Sequence, residues 1–240
     1  MTTAGPVLVV MALRAEMRQL PGSVRRRSRW RQALESESPS VVAVRCGIGQ
    51  VNAARVTEAA LTRWRPRAVL VAGIGGGLQP GLRPGTPVVL DTVCAAQSRI
   101  AAASEVADAM EAALGNAGVT ARRGEGWTVN GVADAAAKQK LGTDGALTVD
   151  NESFAVLDRA RAHGVPAAAF RVVADPVDRG VPRSIAALAW IDGAPLWPQA
   201  RDIWRLPFEV GEVARFRRDL RDGLAGLQGA LSPVLAVLMA

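Results

Sequence analysis

The residues best placed to do chemistry are carboxylates that stand where apolar runs give way to helical spacing. Asp150, Asn151 and Glu152 follow Thr148-Val149 and precede a helical segment, Asp175 closes the apolar run 167–173, and Glu16 comes shortly after the first apolar run, Val7 to Leu13. Carboxyl groups in such places can donate or accept a proton and can hold hydroxyls or positive charge. An ordinary structural use competes with each. An acid at a helix start caps free backbone N–H groups, which is the leading reading of Asp150 and an equal one for Glu152. Asp175 precedes Pro176 and suits a turn, and Glu16 on its own reads as a solvent-facing helix acid.

The elements that must position these acids are legible in the periodicity. Phe154, Leu157 and Ala160 recur at helical spacing, and Gly164-Val165-Pro166 supplies the stop. The segment from 148 to 178 therefore reads strand, helix, strand. Parallel strands joined this way are buried on both faces and place ligands at their C-terminal ends, so both acidic positions are expected to face one crevice.

Further strands are expected at Pro6 to Ala12, Ser40 to Arg45, Ala68 to Ala72, Thr86 to Asp91 and Gly126 to Asn130, with helices at Leu13 to Leu20, Val51 to Trp64, Ser104 to Leu114 and Ala133 to Leu141. The repeated alternation predicts a three-layer α/β/α fold with a central mixed, mostly parallel twisted sheet. A C-terminal amphipathic helix is expected at about 207–229, with Val210, Val213, Phe216, Leu220, Leu224 and Leu227 on the covered face and Glu212, Arg215, Arg217, Arg218, Asp219 and Arg221 on the other. At 240 residues without a Ser- or Pro-rich linker, a single domain spanning 1–240 is the default.

Composition narrows the functional classes. Cys46 and Cys94 lie far apart with no metal-ligand spacing, so no metal site is expected. The only histidine, His163, sits beside Gly164 at a helix end, where a structural role suits it and no nucleophile accompanies it. The run Gly73-Ile-Gly-Gly-Gly77 after a strand allows close backbone approach to a ligand, but Gln79-Pro-Gly-Leu-Arg-Pro-Gly85 follows it instead of a helix, which disfavours a dinucleotide site. The net charge is +7, densest in Arg25 to Arg31. With no nucleic-acid motif beside it, that run reads as a solvated loop or a membrane-surface contact. No leader is visible, and the uncharged run 223–240, interrupted by glycines and Pro233, reads as a surface-docking tail and not as a membrane span.

Four blocks in this order resemble the nucleoside phosphorylase superfamily, and within it the nucleosidases that include methylthioadenosine/S-adenosylhomocysteine nucleosidase and futalosine hydrolase. They are Val9 to Glu16, Cys46 to Ala54, Ala72 to Pro80 with Leu82 to Gly85, and Val149 to Ser153 with Arg171 to Asp175. The resemblance implies that Asp175 protonates N7 of a leaving purine, Glu152 holds the ribose hydroxyls and Glu16 orients the attacking water. It also implies a substrate site that includes Asn151, Ile74, Gly75 and Asn130, no cofactor, a homodimer and a cytoplasmic location. Breaking an N-glycosidic bond builds positive charge on the sugar and negative charge on the base, which is what such acids answer.

Two departures refine the expectation. The phosphorylases carry a Ser in the Gly-rich turn and an Arg shortly before it, where this chain has Ile74 and Val71, so water is the expected nucleophile. Ala174 and Asn151 stand where the methylthioadenosine enzymes have Ser and Met. Gly73-Ile-Gly-Gly-Gly-Leu78, Val149 to Ser153 and Ala174 to Pro182 are most similar to a hopanoid-associated branch, which implies adenine release from the lipid-linked nucleoside adenosylhopane. Arg25 to Arg31, Trp190, Trp197, Trp204 and the C-terminal run are then candidates for peripheral membrane contact, against an ordinary core or dimer-interface use of the tryptophans.

Overall fold

The computed structural model describes residues 5–24, 26–27, 33–35, 40–186, 190–191, 194–195 and 208–239. Of the basic run Arg25 to Arg31 only the backbone of Arg26 and Arg27 is included, and Trp197 and Trp204 lie outside the described residues.

The apolar runs become the strands β1 (Val7–Met11), β4 (Val41–Arg45), β5 (Ala68–Gly77) and β10 (Ala167–Asp175), paired in parallel in the order β4-β1-β5-β10. Two short strands, β2 (Arg26–Arg27) and β3 (Ala33–Glu35), extend this sheet past β4 in antiparallel fashion. On the other side β6 (Pro87–Ala95) runs antiparallel to β10, with β7 (Ser98–Ala101) folded back on it. β8 (Arg122–Thr128) and β9 (Thr148–Asp150) follow, and β9 returns to pair antiparallel with the end of β5 at Gly76 and Gly77. The mixed sheet thus curls until β5, β10, β6, β8 and β9 close a ring.

Helices cover both faces, as the layered pattern predicts. α2 (Gln50–Trp64) and α5 (Ser153–Ala162) pack on one face with strand residues that include Leu8, Val10 and Val69. α3 (Ser104–Asn116) and the C-terminal half of α7 (Val210–Met239) pack with Val7, Val9 and Phe170 on the other. α1 (Arg14–Met17), α4 (Ala135–Leu141) and α6 (Arg183–Ala186) are short, and α1 and α4 each carry a charged residue to the strand ends. A two-stranded ribbon, β11 (Trp190–Ile191) with β12 (Ala194–Pro195), completes the described elements.

Two expectations need correction. The Gly-rich stretch is strand, not turn: β5 continues through Gly77 because its backbone groups pair with β10 on one side and β9 on the other. The last helix is not confined to 207–229. It runs from Val210 through Pro233 to Met239, and Leu231, Val234 and Leu235 are buried, so these residues of the terminal run pack into the core. Its first half is largely exposed. Val210 is exposed there, while Asp219, expected among the outward charges, is buried against Arg179.

Candidate active site

Glu16, Glu152 and Asp175 line one cavity of about 320 Å³ at the C-terminal ends of the parallel strands. The chain topology explains the convergence. α1 follows β1, α5 begins just after β9, and Asp175 is the last residue of β10, so each acid is delivered by a strand end. All three are buried.

Glu16 is held by two backbone N–H groups, with Leu13 donating to Oε2 at 2.7 Å and Ile74 donating to Oε1 at 2.9 Å. Burial pushes its carboxyl above the usual range, against the opposing charge of Arg171 and these two bonds. Ile74 and Gly75 also line the cavity.

Glu152 stands at the start of α5 but does not cap it. Asp150 does, accepting from the N–H groups of Glu152 at 2.9 Å and Ser153 at 3.0 Å. That leaves the Glu152 carboxylate aimed at the cavity, where it accepts from the Gly49 N–H at 3.1 Å and from Arg171 at 3.4 Å. Burial, partly offset by Arg171 and reinforced by Asp150 and Glu16, raises its pKa to about 8.

Arg171 joins this group from within the all-apolar flanks of β10 and is fully buried. Its Nε donates to Asp150 Oδ2 at 2.9 Å and its Nη2 to Ser153 Oγ at 2.9 Å. Burial alone raises Asp150, but the Arg171 charge and the bonds from Ser153 and Thr128 outweigh it and hold the carboxyl low. In sequence Arg171 stands inside one of the four blocks with no task of its own; a lone charge in a buried strand is the signal that marks it.

The third acid has a partner the sequence does not suggest. The Asp175 carboxyl is in direct contact with the Lys138 side chain of α4, and both are buried. Burial raises the Asp175 carboxyl, while Lys138 pulls it down. In sequence Lys138 sits in Ala-Ala-Ala-Lys-Gln-Lys and looks like a surface lysine; only its three-residue spacing to Leu141 marks it as sharing an inward face.

Asn151 lines the cavity and its Nδ2 donates to the carbonyls of Val129 and Gly131, both at 2.7 Å, fixing the loop that forms one wall. Asn130 stands outside the cavity wall. It is exposed, accepts from Gln50 Nε2 at 2.8 Å and does not line the cavity; the backbone turn that brings Val129 and Gly131 inward points it out. His163 bears out its structural reading, with Nε2 2.8 Å from Glu58 on α2.

The remaining wall is apolar: Val132, Ala133, Val181, Ile185, Phe216 and Leu220. Among the described lining residues Lys138 is the only cation, and it is bound to Asp175. The site thus offers several carboxylates around a small cavity, suited to a ligand that gains positive charge and needs a proton.

Comparison with known proteins finds relatives in sequence and in fold. Futalosine hydrolase of Streptomyces coelicolor is 35% identical over 146 residues, which is 52% of this chain and 62% of that relative's length. The structure of 5′-methylthioadenosine/S-adenosylhomocysteine nucleosidase of Neisseria meningitidis in complex with methylthio-immucillin-A superposes with a TM-score of 0.70 at 19% identity, covering 95% of this chain and 97% of that one. The native futalosine hydrolase of Helicobacter pylori superposes with a TM-score of 0.64 at 14% identity, over 72% and 88% of the two chains. Both share the fold. The family model of the phosphorylase superfamily matches residues 11–189, about three-quarters of the sequence, and takes in α1, the Gly-rich β5, the Asp150–Glu152 helix start and Asp175; the chain belongs to the phosphorylase superfamily.

Proposed function

We propose that the chain is a purine nucleosidase that cleaves an N-glycosidic bond with water as the nucleophile. The observation that carries this reading is the convergence of Glu16, Glu152 and Asp175 on one buried cavity. Asp175 gives a proton to N7 of the departing base, and the electron pair of the C1′–N9 bond leaves with the base. Glu152 holds the ribose hydroxyls beside the carbon where positive charge grows. Glu16 orients a water and takes its proton as oxygen joins C1′. Phosphate would want a free cation, and Lys138, the one cation among the described lining residues, is paired with Asp175, which supports hydrolysis.

Within that class we take the base to be adenine and the 5′ substituent to be apolar, because Val181, Ile185, Phe216 and Leu220 form a wall without charge. The sequence resemblance then favours adenosylhopane. The rival substrate is futalosine, favoured by the 35% identity to the Streptomyces coelicolor enzyme. A homodimer and a peripheral membrane contact complete the reading; exposed Val51 and Phe208, at 66% and 90%, are described apolar side chains available for such contacts.

The test is a hydrolysis panel of adenosylhopane, methylthioadenosine, S-adenosylhomocysteine and futalosine, with free base quantified by chromatography and with and without inorganic phosphate. We expect phosphate-independent adenine release, fastest from the lipid nucleoside. Base release from futalosine alone would transfer the assignment to the rival, and no release from any of them would end it.

A further inference from the structure

We propose that Lys138 is a positioning residue for Asp175: its ammonium fixes the carboxyl at the end of β10 and stabilises the carboxylate that remains once the proton has gone to the base. This deepens the nucleosidase reading and rests on Asp175 being the acid.

The geometry is that of a built socket. Lys138 Nζ binds the Asp175 side chain and also donates to the backbone carbonyls of Asp175 at 3.3 Å, Pro176 at 3.2 Å and Arg179 at 2.8 Å. One ammonium therefore ties the carboxyl to the turn that follows β10. Room for it is made by Gly76, where a methyl carbon would lie 2.8 Å from Lys138 Cε and 3.1 Å from Nζ. Gly180 brings the turn against the start of α4, its own methyl position 3.2 Å from the Asp134 Cα. Lysine is rarely buried, and a buried one whose partner is a cavity-lining carboxyl is set there by more than packing.

The other charges around Asp175 leave Lys138 as the effective counter-ion. On the far side of the carboxyl is a polar pocket of about 190 Å³ lined by Asp178, Arg179, Glu212, Arg215 and Asp219. Arg179 Nη1 lies 2.9 Å from Asp219 Oδ2, so that cation and that anion answer each other. Glu212 and Arg215 are of opposite sign and both exposed.

The consequence for the chemistry follows from the proton balance. Before cleavage the acid form is a neutral Asp175 carboxyl beside the Lys138 ammonium. As C1′–N9 breaks, the proton passes to N7 and an ion pair forms where a neutral–cation contact stood. That interaction strengthens along the reaction coordinate, which accelerates the step. A buried carboxyl without the ammonium would hold its proton too tightly to release it to a weakly basic purine nitrogen.

The test is the pH profile of kcat for K138Q, which keeps hydrogen-bond donors to the carbonyls and removes the charge. Activity needs protonated Asp175, so the alkaline limb reports its ionisation. We expect that limb to move up by about 1–3 pH units and the plateau rate to fall roughly tenfold or more, with KM little changed. Gly76→Ala, which displaces the ammonium without removing it, should move the limb the same way and serves if K138Q does not fold. An unmoved limb in a folded variant would overturn the proposal, as would a folded K138Q inactive at every pH, which would make the lysine itself the donor. A wild-type protein inert toward all nucleosides would instead sink the nucleosidase reading.

Discussion

Glu16 and Arg171 meet over the bare Cα of Gly73, where a methyl carbon would lie 2.5 Å from Glu16 Oε1 and 2.6 Å from Arg171 Nη1. Both side chains are buried and held, Glu16 by the Ile74 N–H and Arg171 by Asp150 and Ser153, so neither can swing away cheaply. Gly73→Ala should therefore destabilise the fold by about 1–3 kcal/mol, as an overpacked core does. It should also cut nucleoside hydrolysis more deeply than the loss of folded protein explains. Thermal unfolding and initial rates on the same preparation separate the two effects.

Asp175→Asn removes the proposed proton donor but keeps the shape of the side chain. The rate should fall by roughly 10²–10⁴-fold, the usual worth of general acid help, while a nonhydrolysable nucleoside analogue still binds. Substrate turnover within a few-fold of wild type would remove Asp175 from the mechanism.

Much of this site can be read from residue order, and the part that cannot has a common cause. Asp150, Glu152 and Asp175 are placed by helix starts and strand ends, which are local signals, and Asp150 caps α5 as that local reading expects. The basic residues that answer these acids carry fainter marks, a lone charge in an apolar strand for Arg171 and a three-residue spacing to Leu141 for Lys138, and neither names a partner. Lys138 is 37 residues from Asp175, and Arg171 reaches Asp150 21 residues away across the sheet, so each pairing exists only after β5, β9 and β10 are brought together. The extension of β5 through its glycines escapes the sequence for the same reason, since glycine disfavours strand locally and pairing on both sides overrides it. Asn130 turns outward to Gln50 in a loop whose direction the sequence does not encode.

Arg171→Met tests whether the buried cation is structural support for the acids. It would leave Asp150 and Glu152 without their common partner in a water-poor interior, where removing one member of a buried ion pair costs about 3–5 kcal/mol. Chemical denaturation should show the loss directly. It should shrink at low pH, where Asp150 can take up a proton as well.

The raised pKa of Glu152 makes stability itself pH-dependent. A carboxyl with a folded value of about 8 and an ordinary unfolded value near 4.5 binds its proton more tightly in the folded state. Between those two pH values the folded protein carries more protons than the unfolded chain, so stability falls as pH rises through the window. Glu16 and Asp175, both raised by burial, act in the same direction, whereas Asp150, held low, adds stability above its unfolded value that is lost only as the pH falls toward strong acid. The melting temperature should therefore decline from about pH 5 to pH 8. Glu152→Gln, which fixes this position in the neutral form, should flatten the decline and raise the melting temperature at about pH 8 while leaving that at about pH 5 nearly unchanged. A wild-type melting temperature that climbs over the same range would show that Glu152 is ionised and stabilised in the folded protein, with Arg171 prevailing over burial.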